Sequence, residues 1–344
     1  MERAMARPTI SDIANAAGVS NAAVSFALNG RPGVSDATRS RILKIATEFG
    51  WLPHVAARSL ASAQVGAVGL VLSRPVETLG AEPFFMRMIS GIQREFARRS
   101  VALVFQVVDD HAAEIATYKR WWAEGRVDGV LVADPYVEDD RVEPLRELGM
   151  PAVFAGLPRE ARGFGGVVAD NTRNMRMTLT GLYNLGHVRI ARVTGRPQHD
   201  HVAVRSEAFW EWGAEHPQVS LQVVPTDYSA DEGAAATATV LTREQRPTAV
   251  LYDNDVMALS GLGMAQQLGL SVPGEVSLIA WDDSPLCRVS HPSMTALRRD
   301  IPQFGETAAR NLLDLIDGGP VTVVSEPPGQ LMWRRSTGPA AGAQ

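Results

Sequence analysis

The chain has almost no cysteine and no long apolar run, and these absences exclude several classes of protein. Cys287 is the single cysteine among 344 residues, so an internal disulfide and a multi-cysteine zinc site are excluded. No apolar run approaches the roughly 18 residues that a membrane-spanning helix needs. The start of the chain lacks the apolar segment of a secretory signal. We therefore predict a soluble, cytoplasmic protein with no membrane contact.

Motifs of enzymes and metal sites are also missing. The sequence contains no Walker motif, no HExxH and no GxSxG. Asp282 and Asp283 are adjacent, and adjacent side chains of an extended segment point apart, which disfavours an acid/base pair. The segment His199-Asp200-His201 has metal-ligand residue types but no distant third ligand, and we interpret it as a solvated loop. We predict no catalytic residue, no metal site and no cofactor.

Charge is distributed unevenly along a chain of ordinary globular composition. Apolar residues make up 45% of the sequence, and a length of 344 residues suggests two or three domains. The formal net charge is −5, yet residues 1–65 hold seven Arg or Lys and four Asp or Glu. A small basic head on an acidic body suggests that only the head meets nucleic-acid phosphate.

The head carries the start and stop signals of three short helices. The predicted helices are 10–17, after a capping box of Thr9 and Asp12; 21–28, after the cap Ser20; and a third between Ser35 and Gly50. Gly18 lies in the short turn between the first two helices, and Asn29 and Gly30 close the second. Two short helices joined in this way form the helix-turn-helix pattern of DNA-binding proteins.

The second helix divides into a core face and an outer face. Its core face holds Ala23, Val24, Ala27 and Leu28, and its outer face holds Asn21, Ala22, Ser25, Phe26 and Asn29. A recognition helix would present the outer face to the major groove. Phe26 has two open interpretations: its ring packs against another part of the head, or it contacts a thymine methyl or a base edge.

Beyond the head, strand-like apolar runs alternate with helical segments. A first set has strands at 68–72, 102–108, 129–132 and 152–155, with helices at 86–99, 114–123 and 142–148. A second set has strands at 166–168, 190–193, 221–224, 249–252 and 276–280, with helices at 176–185, 203–214, 234–241 and 256–268. Such alternation predicts doubly wound parallel sheets, and two sets predict two lobes. The fold class is thus an all-α helix-turn-helix head plus an α/β two-lobed body.

Characteristic motifs run through the whole chain. They are TISDIANAAGVS, NAAVSFALNG, DNTRN, LGHVRIARVTG, YDNDVMALSGL and the terminal WRRST. On these motifs the sequence resembles the lactose-repressor (LacI/GalR) family of bacterial transcription regulators. The resemblance implies a DNA-binding domain at 1–52, a hinge at 53–65, a body like the periplasmic binding proteins at 66–338 and a tail at 339–344. It also implies that the last helix, near 304–316, returns to the first lobe.

The resemblance further implies a homodimer, or a dimer of dimers, on a near-palindromic operator. The hinge would fold on DNA and push Leu60, with Ala57 beside it, into the minor groove, which kinks the duplex. The positions that we expect to serve DNA binding are Thr9, Ser20, Asn21, Ala22, Ser25, Phe26, Asn29, His54, Ala57 and Leu60. The family often has Arg where Phe26 stands and usually Asn where His54 stands, so we expect an operator that differs at the base pair that Phe26 meets.

Polar and aromatic side chains near strand ends predict a ligand-binding cleft in the body. The positions that match effector contacts of the family are Phe84, Phe85, Asp170, Arg205, Tyr228, Asn254 and Asp282. Carboxylates accept hydrogen bonds from hydroxyls, a guanidinium donates them, and rings cover the apolar face of a sugar. For a single Asp at a strand end, capping of the next helix is the commoner explanation.

The sequence therefore predicts a ligand-responsive transcription regulator, most simply a repressor of a carbohydrate-related operon. Its expected partners are operator DNA, a small-molecule effector such as a sugar or a related metabolite, and a second copy of the chain. A sugar-binding receptor of the solute-capture class is the alternative, and an enzyme on the same body fold is a more distant one.

Overall fold

The structure is a computed structural model that describes residues 8–28, 30–51 and 64–342. The predicted hinge positions His54, Ala57 and Leu60, and Asn29 at the end of the second helix, lie outside these residues. The chain divides into two units, Met1–Val65 and Gly66–Gln344. No helix in the described part of the chain is both long and apolar enough to cross a membrane.

Three helices form the described part of the first unit: α1 (Ile10–Ala17), α2 (Asn21–Leu28) and α3 (Asp36–Glu48). The capping box before α1 is present, because Thr9 accepts from the Asp12 amide while the Asp12 carboxylate accepts from the Thr9 amide. α1 ends at Gly18, whose φ of 64° is left-handed, as glycine permits. The shared core is small and consists of Ile13, Ala14, Ala17, Val24, Ala27, Ile42 and Ala46. These features confirm the predicted three-helix head.

The second unit alternates strands and helices as predicted. Its elements as far as the fifth strand are β1 (Ala67–Leu72), α4 (Val76–Ala81), α5 (Pro83–Arg99), β2 (Ala102–Val107), α6 (His111–Ala123), β3 (Gly129–Ala133), α7 (Val142–Leu148), β4 (Ala152–Ala155) and β5 (Gly165–Val168). The next are α8 (Asn171–Asn184), β6 (Arg189–Thr194), α9 (Asp200–Glu215), β7 (Ser220–Pro225), α10 (Ala230–Leu241), β8 (Ala249–Tyr252) and α11 (Asp255–Gln267). The last are β9 (Ser277–Trp281), α12 (Pro285–Val289), β10 (Thr295–Arg298), α13 (Ile301–Ile316), β11 (Val323–Ser325) and β12 (Gln330–Met332).

Two six-stranded sheets define two lobes. The first has the order β11-β5-β4-β3-β1-β2 and is parallel throughout. The second has the order β12-β10-β9-β8-β6-β7 and is parallel except for β12. The chain passes between the lobes after β5, after β10 and after β11.

The position of β5 corrects one prediction. We assigned residues 166–168 to the second set, but β5 pairs with β4 and β11 in the first sheet. The connection from β4 to β5 contains only a short 3₁₀ turn, Arg159–Ala161, instead of an α-helix. The expected strand–helix alternation is therefore broken at this point, which made β5 resemble the start of a new set.

The last helix returns to the first lobe, as the resemblance implied. α13 packs in the same core cluster as α5, and the two helices approach closely at a glycine on each. A Cβ at Gly91 would lie 1.9 Å from the Pro302 carbonyl oxygen, and one at Gly305 would lie 2.2 Å from the Met88 carbonyl oxygen. Neither position has room for a side chain, so these glycines set the distance between α5 and α13.

Candidate functional site

The outer face of α2 is the candidate DNA-reading surface of the head. Ser20 accepts a hydrogen bond from the Ala23 amide at 3.2 Å and so caps α2, as predicted. Val24 and Ala27 are buried, whereas Asn21 and Ala22 are exposed and Ser25 is half-buried. This division follows the two faces that the sequence predicted, because neighbours on a helix are separated by about 100°.

The structure supports the packing interpretation of Phe26, and the base contact stays a prediction. Its ring lies against Gly33, where a Cβ would be 3.1 Å from the ring, so part of the side chain packs within the head. The residue is nevertheless 37% exposed. An exposed aromatic edge on the outer face of α2 could contact a base without leaving its packing partner.

A cavity of about 210 Å³ lies between the two lobes of the body. Its walls come from the carboxyl ends of the strands: Arg74 follows β1, Asp134 follows β3, Asp253 follows β8 and Asp282 follows β9. Ligands of doubly wound sheets bind at this edge of the strands. The lobes touch beside the cavity, where the Asp200 amide donates to the Pro135 carbonyl at 2.9 Å.

Five of the seven predicted effector positions line this cavity. They are Phe84, Phe85, Arg205, Tyr228 and Asp282. Arg205 lies 4.1 Å from the centre of the Trp281 ring and donates to the Asn171 side-chain oxygen at 3.0 Å. Burial lowers the pKa of Arg205, and no carboxylate in the described part of the chain pairs with it. Arg205 is thus a buried donor with spare N–H groups for a ligand.

The other two predicted positions, Asp170 and Asn254, do not reach the cavity wall. Asp170 accepts from the Arg173 amide at 2.9 Å and caps α8, and Asn254 accepts from the Met257 amide at 2.8 Å and caps α11. Helix capping is the commoner role of such residues at strand ends. Their chain neighbours, Asn171 and Asp253, line the cavity instead.

Two arginines, Arg74 and Arg299, form three ion pairs at the cavity wall. Arg74 donates to Asp134 at 2.7 Å; burial alone would lower the pKa of Arg74, but the negative charges of Asp134 and Glu82 together outweigh burial and raise it. Arg299 donates to Asp282 at 3.2 Å and to Glu326 at 2.7 Å. These pairs restrain the Asp134 and Asp282 carboxylates, which line the cavity.

His201 was the clearest misjudgement from the sequence. The segment His199-Asp200-His201 is not a solvated loop: it forms the start of α9, and His199 is buried. The His201 Nε2 atom lies 2.6 Å from the Tyr228 hydroxyl oxygen, and burial keeps the pKa of His201 well below its usual range. The sequence analysis noted both histidines, but it could not show that the loop after β3 packs over them.

Sequence reasoning also missed Arg74, Glu82, Asp134 and Arg299. Arg74 and Asp134 lie just beyond the last residues of β1 and β3, so the strand-end rule that selected Asp282 would have found them as well. Glu82 precedes Pro83 between two helices, where no sequence pattern marks it as a ligand contact.

One group of residues has the types that could hold a metal ion. The ligand atoms of His111, Asp139 and Asp140 lie within 4.8 Å of one another. Asp139 is already bound by Arg141, at 2.9 Å to one carboxylate oxygen and 2.6 Å to the other. The guanidinium occupies the position where a cation would bind, so these residues fit an ion pair better than a metal site.

Comparisons with known proteins agree with both units. A family model described as bacterial regulatory proteins of the lacI family matches residues 9–54, and a periplasmic binding protein-like domain matches residues 179–337. The HTH-type transcriptional regulator CelR of Thermobifida fusca is 32% identical over 332 residues, which cover 93% of this chain and 96% of CelR.

Solved structures give the same result. A complex of the transcriptional regulator CelR with cellobiose superposes with a TM-score of 0.72 at 29% identity, covering 96% of this chain and all of the other. The lac repressor dimer bound to operator and the anti-inducer ONPF has a TM-score of 0.82 at 23% identity, covering 97% of this chain and all of the other. The latter likeness shows the fold alone.

A helix-turn-helix head and a two-lobed body with a polar cavity in one chain define a DNA-binding regulator that responds to a ligand. The relative at 32% identity is an HTH-type transcriptional regulator. The chain belongs to the LacI family of bacterial transcriptional regulators.

Proposed function

We propose that the chain is a cytoplasmic, homodimeric repressor of carbohydrate-related genes whose operator affinity is controlled by a sugar or a related metabolite. The observation that carries this proposal is the cavity between the lobes, where a buried guanidinium, ion-paired carboxylates and aromatic rings converge. This combination suits a polyhydroxylated ligand. The CelR relative, which is known as a complex with cellobiose, supports the same ligand class.

On the ligand side, Arg205 and Asp282 would bind hydroxyl groups, and Phe84, Phe85 and Tyr228 would pack against the apolar faces of the sugar. Asp170 and Asn254 would act indirectly, because each caps a helix and has a chain neighbour, Asn171 or Asp253, that lines the cavity. An effector shifts operator affinity only through its different affinities for two arrangements of the lobes.

On the DNA side, the exposed face of α2 would read the major groove of a near-palindromic operator. Thr9 and Ser20 would hold the helices that present this face, and Asn21, Ala22, Ser25, Phe26 and Asn29 would meet the DNA. Residues 53–65 would form the hinge, in which His54 and Ala57 support Leu60 as the minor-groove wedge. Residues 66–338 would form the effector-binding and dimerisation domain, with a tail at 339–344.

Selection of genomic fragments by the purified full-length chain tests this proposal. We expect enrichment of an inverted repeat whose half-site centres lie about one helical turn apart, or a multiple of it. Sedimentation of the free protein should give the mass of a dimer or tetramer. A monomer, or fragments without any inverted repeat, would contradict the proposal.

A further inference from the structure

Glu82 is a buried carboxylate that lines the cavity and has no partner for one of its oxygens. It lies between α4 and α5, directly before Pro83, and only 9% of the residue is exposed. Its side chain makes no capping hydrogen bond to α5, and its Oε2 atom has no hydrogen-bond partner among the described residues. A buried polar atom without a partner costs free energy, so a partner is expected to come from the cavity.

The described side chains around Glu82 leave its Oε2 atom without a hydrogen bond. The charged and titratable groups that face Glu82 from neighbouring elements are Arg74, Asp134, Asp255, Asp282 and Tyr228. Arg74 is the cation with the strongest attraction to Glu82, but it donates through Nε to Asp134 and does not hydrogen-bond the Oε2 atom of Glu82. The Tyr228 hydroxyl is paired with His201. The free oxygen of Glu82 therefore has to be satisfied by water or by a ligand in the cavity.

We propose that Glu82 determines effector specificity, and that its carboxylate accepts a hydrogen bond from a hydroxyl group of a neutral, sugar-like effector. This inference rests on the proposed function, because it assumes that the cavity takes the effector. Arg74 favours a neutral donor, since its positive charge would repel an ammonium group brought to the same carboxylate. Phe84 and Phe85 lie two and three residues after Glu82 and line the same cavity, so one short segment would supply both an apolar surface and a hydroxyl acceptor to a sugar ring.

The proposal has a consequence for the pH dependence of binding. Burial raises the pKa of Glu82 to about 7, although the nearby Arg74 opposes the shift. A hydroxyl that donates to Glu82 stabilises the ionised carboxylate, so effector binding lowers this pKa and releases a proton near neutral pH. Effector affinity is then fully present well above the pKa of Glu82 and is lost as the pH falls through it.

Glu82 is not the only acid in this region with a raised pKa. Burial also raises the pKa of Asp200 and that of Asp255 to about 6. The part of the pH dependence that belongs to Glu82 is the part that disappears in a Glu82→Gln variant, since Asp200 and Asp255 remain unchanged there. The matched control is Glu147→Gln in α7, because Glu147 is exposed and does not line the cavity.

Calorimetric titration of the full-length protein with cellobiose, maltose, D-glucose and D-glucosamine tests the proposal. Titrations at pH 6, 7 and 8, in two buffers with different ionisation enthalpies, measure the protons released. The wild type should bind a neutral sugar with proton release. Glu82→Gln should weaken binding of that sugar by roughly tenfold, because a neutral acceptor replaces a charged one, and it should remove the part of the proton release that belongs to Glu82. Glu147→Gln should change neither quantity.

The contradicting outcomes are distinct. Equal affinity and equal proton release in the Glu82→Gln variant would overturn the role of Glu82 and leave the proposed function intact. Sugar binding by the wild type without proton release would also overturn the role of Glu82, and this result does not require the variant to fold. Tighter binding of glucosamine than of glucose, lost in the variant, would show that Glu82 selects a cation instead. Failure of the wild type to bind any of these sugars would overturn the sugar assignment and this inference together.

Discussion

The two lobes of the body share one strand order but present different walls to the cavity. In each lobe the first strand lies between the second and the third, and the fourth and fifth follow outward. The first lobe contributes mostly apolar groups, and the second mostly polar ones. The first-lobe wall includes Phe84, Phe85, Met88, Pro135 and Leu157, and the second-lobe wall includes Asn171, Asp200, His201, Arg205 and Asp282.

This difference separates two parts of recognition. Apolar rings position a ligand through shape and surface burial, whereas paired polar groups discriminate between hydroxyl patterns. Glu82 and the Arg74–Asp134 pair are the polar exceptions on the first lobe. The division suggests that the second lobe supplies most of the polar contacts to the effector, and that Glu82 adds a polar contact from the first lobe.

The largest expected effect concerns the buried charge beneath the first-lobe wall. Arg141 is 1% exposed and donates to Asp139 and Glu114, which are also buried. Arg141→Met leaves both carboxylates without their cation, so the free energy of unfolding of the body should fall by about 3–5 kcal/mol. Urea unfolding followed by tryptophan fluorescence measures the loss.

Arg146→Met is the control for this change, because Arg146 pairs with Glu143 at the exposed surface of α7. Its loss should cost less than about 1 kcal/mol. Equal losses in the two variants would show that the first lobe does not depend on its buried pair.

The second-largest effect concerns ligand affinity and tests the polar character of the second lobe. Arg205→Ala removes a buried donor that has no carboxylate partner, so effector affinity should fall by roughly 10- to 100-fold. The affinity for operator without effector should stay unchanged. Calorimetry and fluorescence anisotropy with labelled operator measure the two quantities.

Arg173→Ala serves as the control, since Arg173 is exposed near the start of α8 and does not line the cavity. If Arg205→Ala weakened effector and operator binding equally, Arg205 would be a structural residue and the comparison of the two walls would fail.

A smaller effect is expected from glycines in the two lobes. Gly91→Ala places a Cβ against the Pro302 carbonyl oxygen and should lower the free energy of unfolding by about 1–3 kcal/mol. Gly263→Ala in α11 meets no atom within 4 Å and should raise it by about 0.5–1 kcal/mol, because alanine favours the helix. Thermal unfolding gives both values, and a loss of stability in the second variant would contradict this account.

Much of the fold was predictable because apolar periodicity and capping residues, which are local sequence signals, determine where many helices and strands begin and end. The predicted bounds of β4, β8, α1, α2 and α7 match the structure to the residue. β5 was assigned to the wrong lobe, since sheet membership depends on pairing with distant strands that periodicity does not report.

The candidate site was less predictable than the fold. Phe84, Phe85 and Arg205 follow from strand ends and the family resemblance, but Glu82 and His201 reach the cavity only because the two lobes meet. Asp170 and Asn254 have the right residue types, and yet their side chains bond to the following helix. The competition between a cap and a ligand contact is decided by side-chain direction, which the sequence alone does not specify.

The most direct test of the central claim is the operator affinity of the wild-type protein with and without a sugar that binds the body. If the cavity controls the head, a saturating sugar should change the operator dissociation constant by at least about tenfold, since a useful switch needs more than about 1.4 kcal/mol of differential affinity. A sugar that binds the body in calorimetry while the operator dissociation constant stays constant would contradict the account.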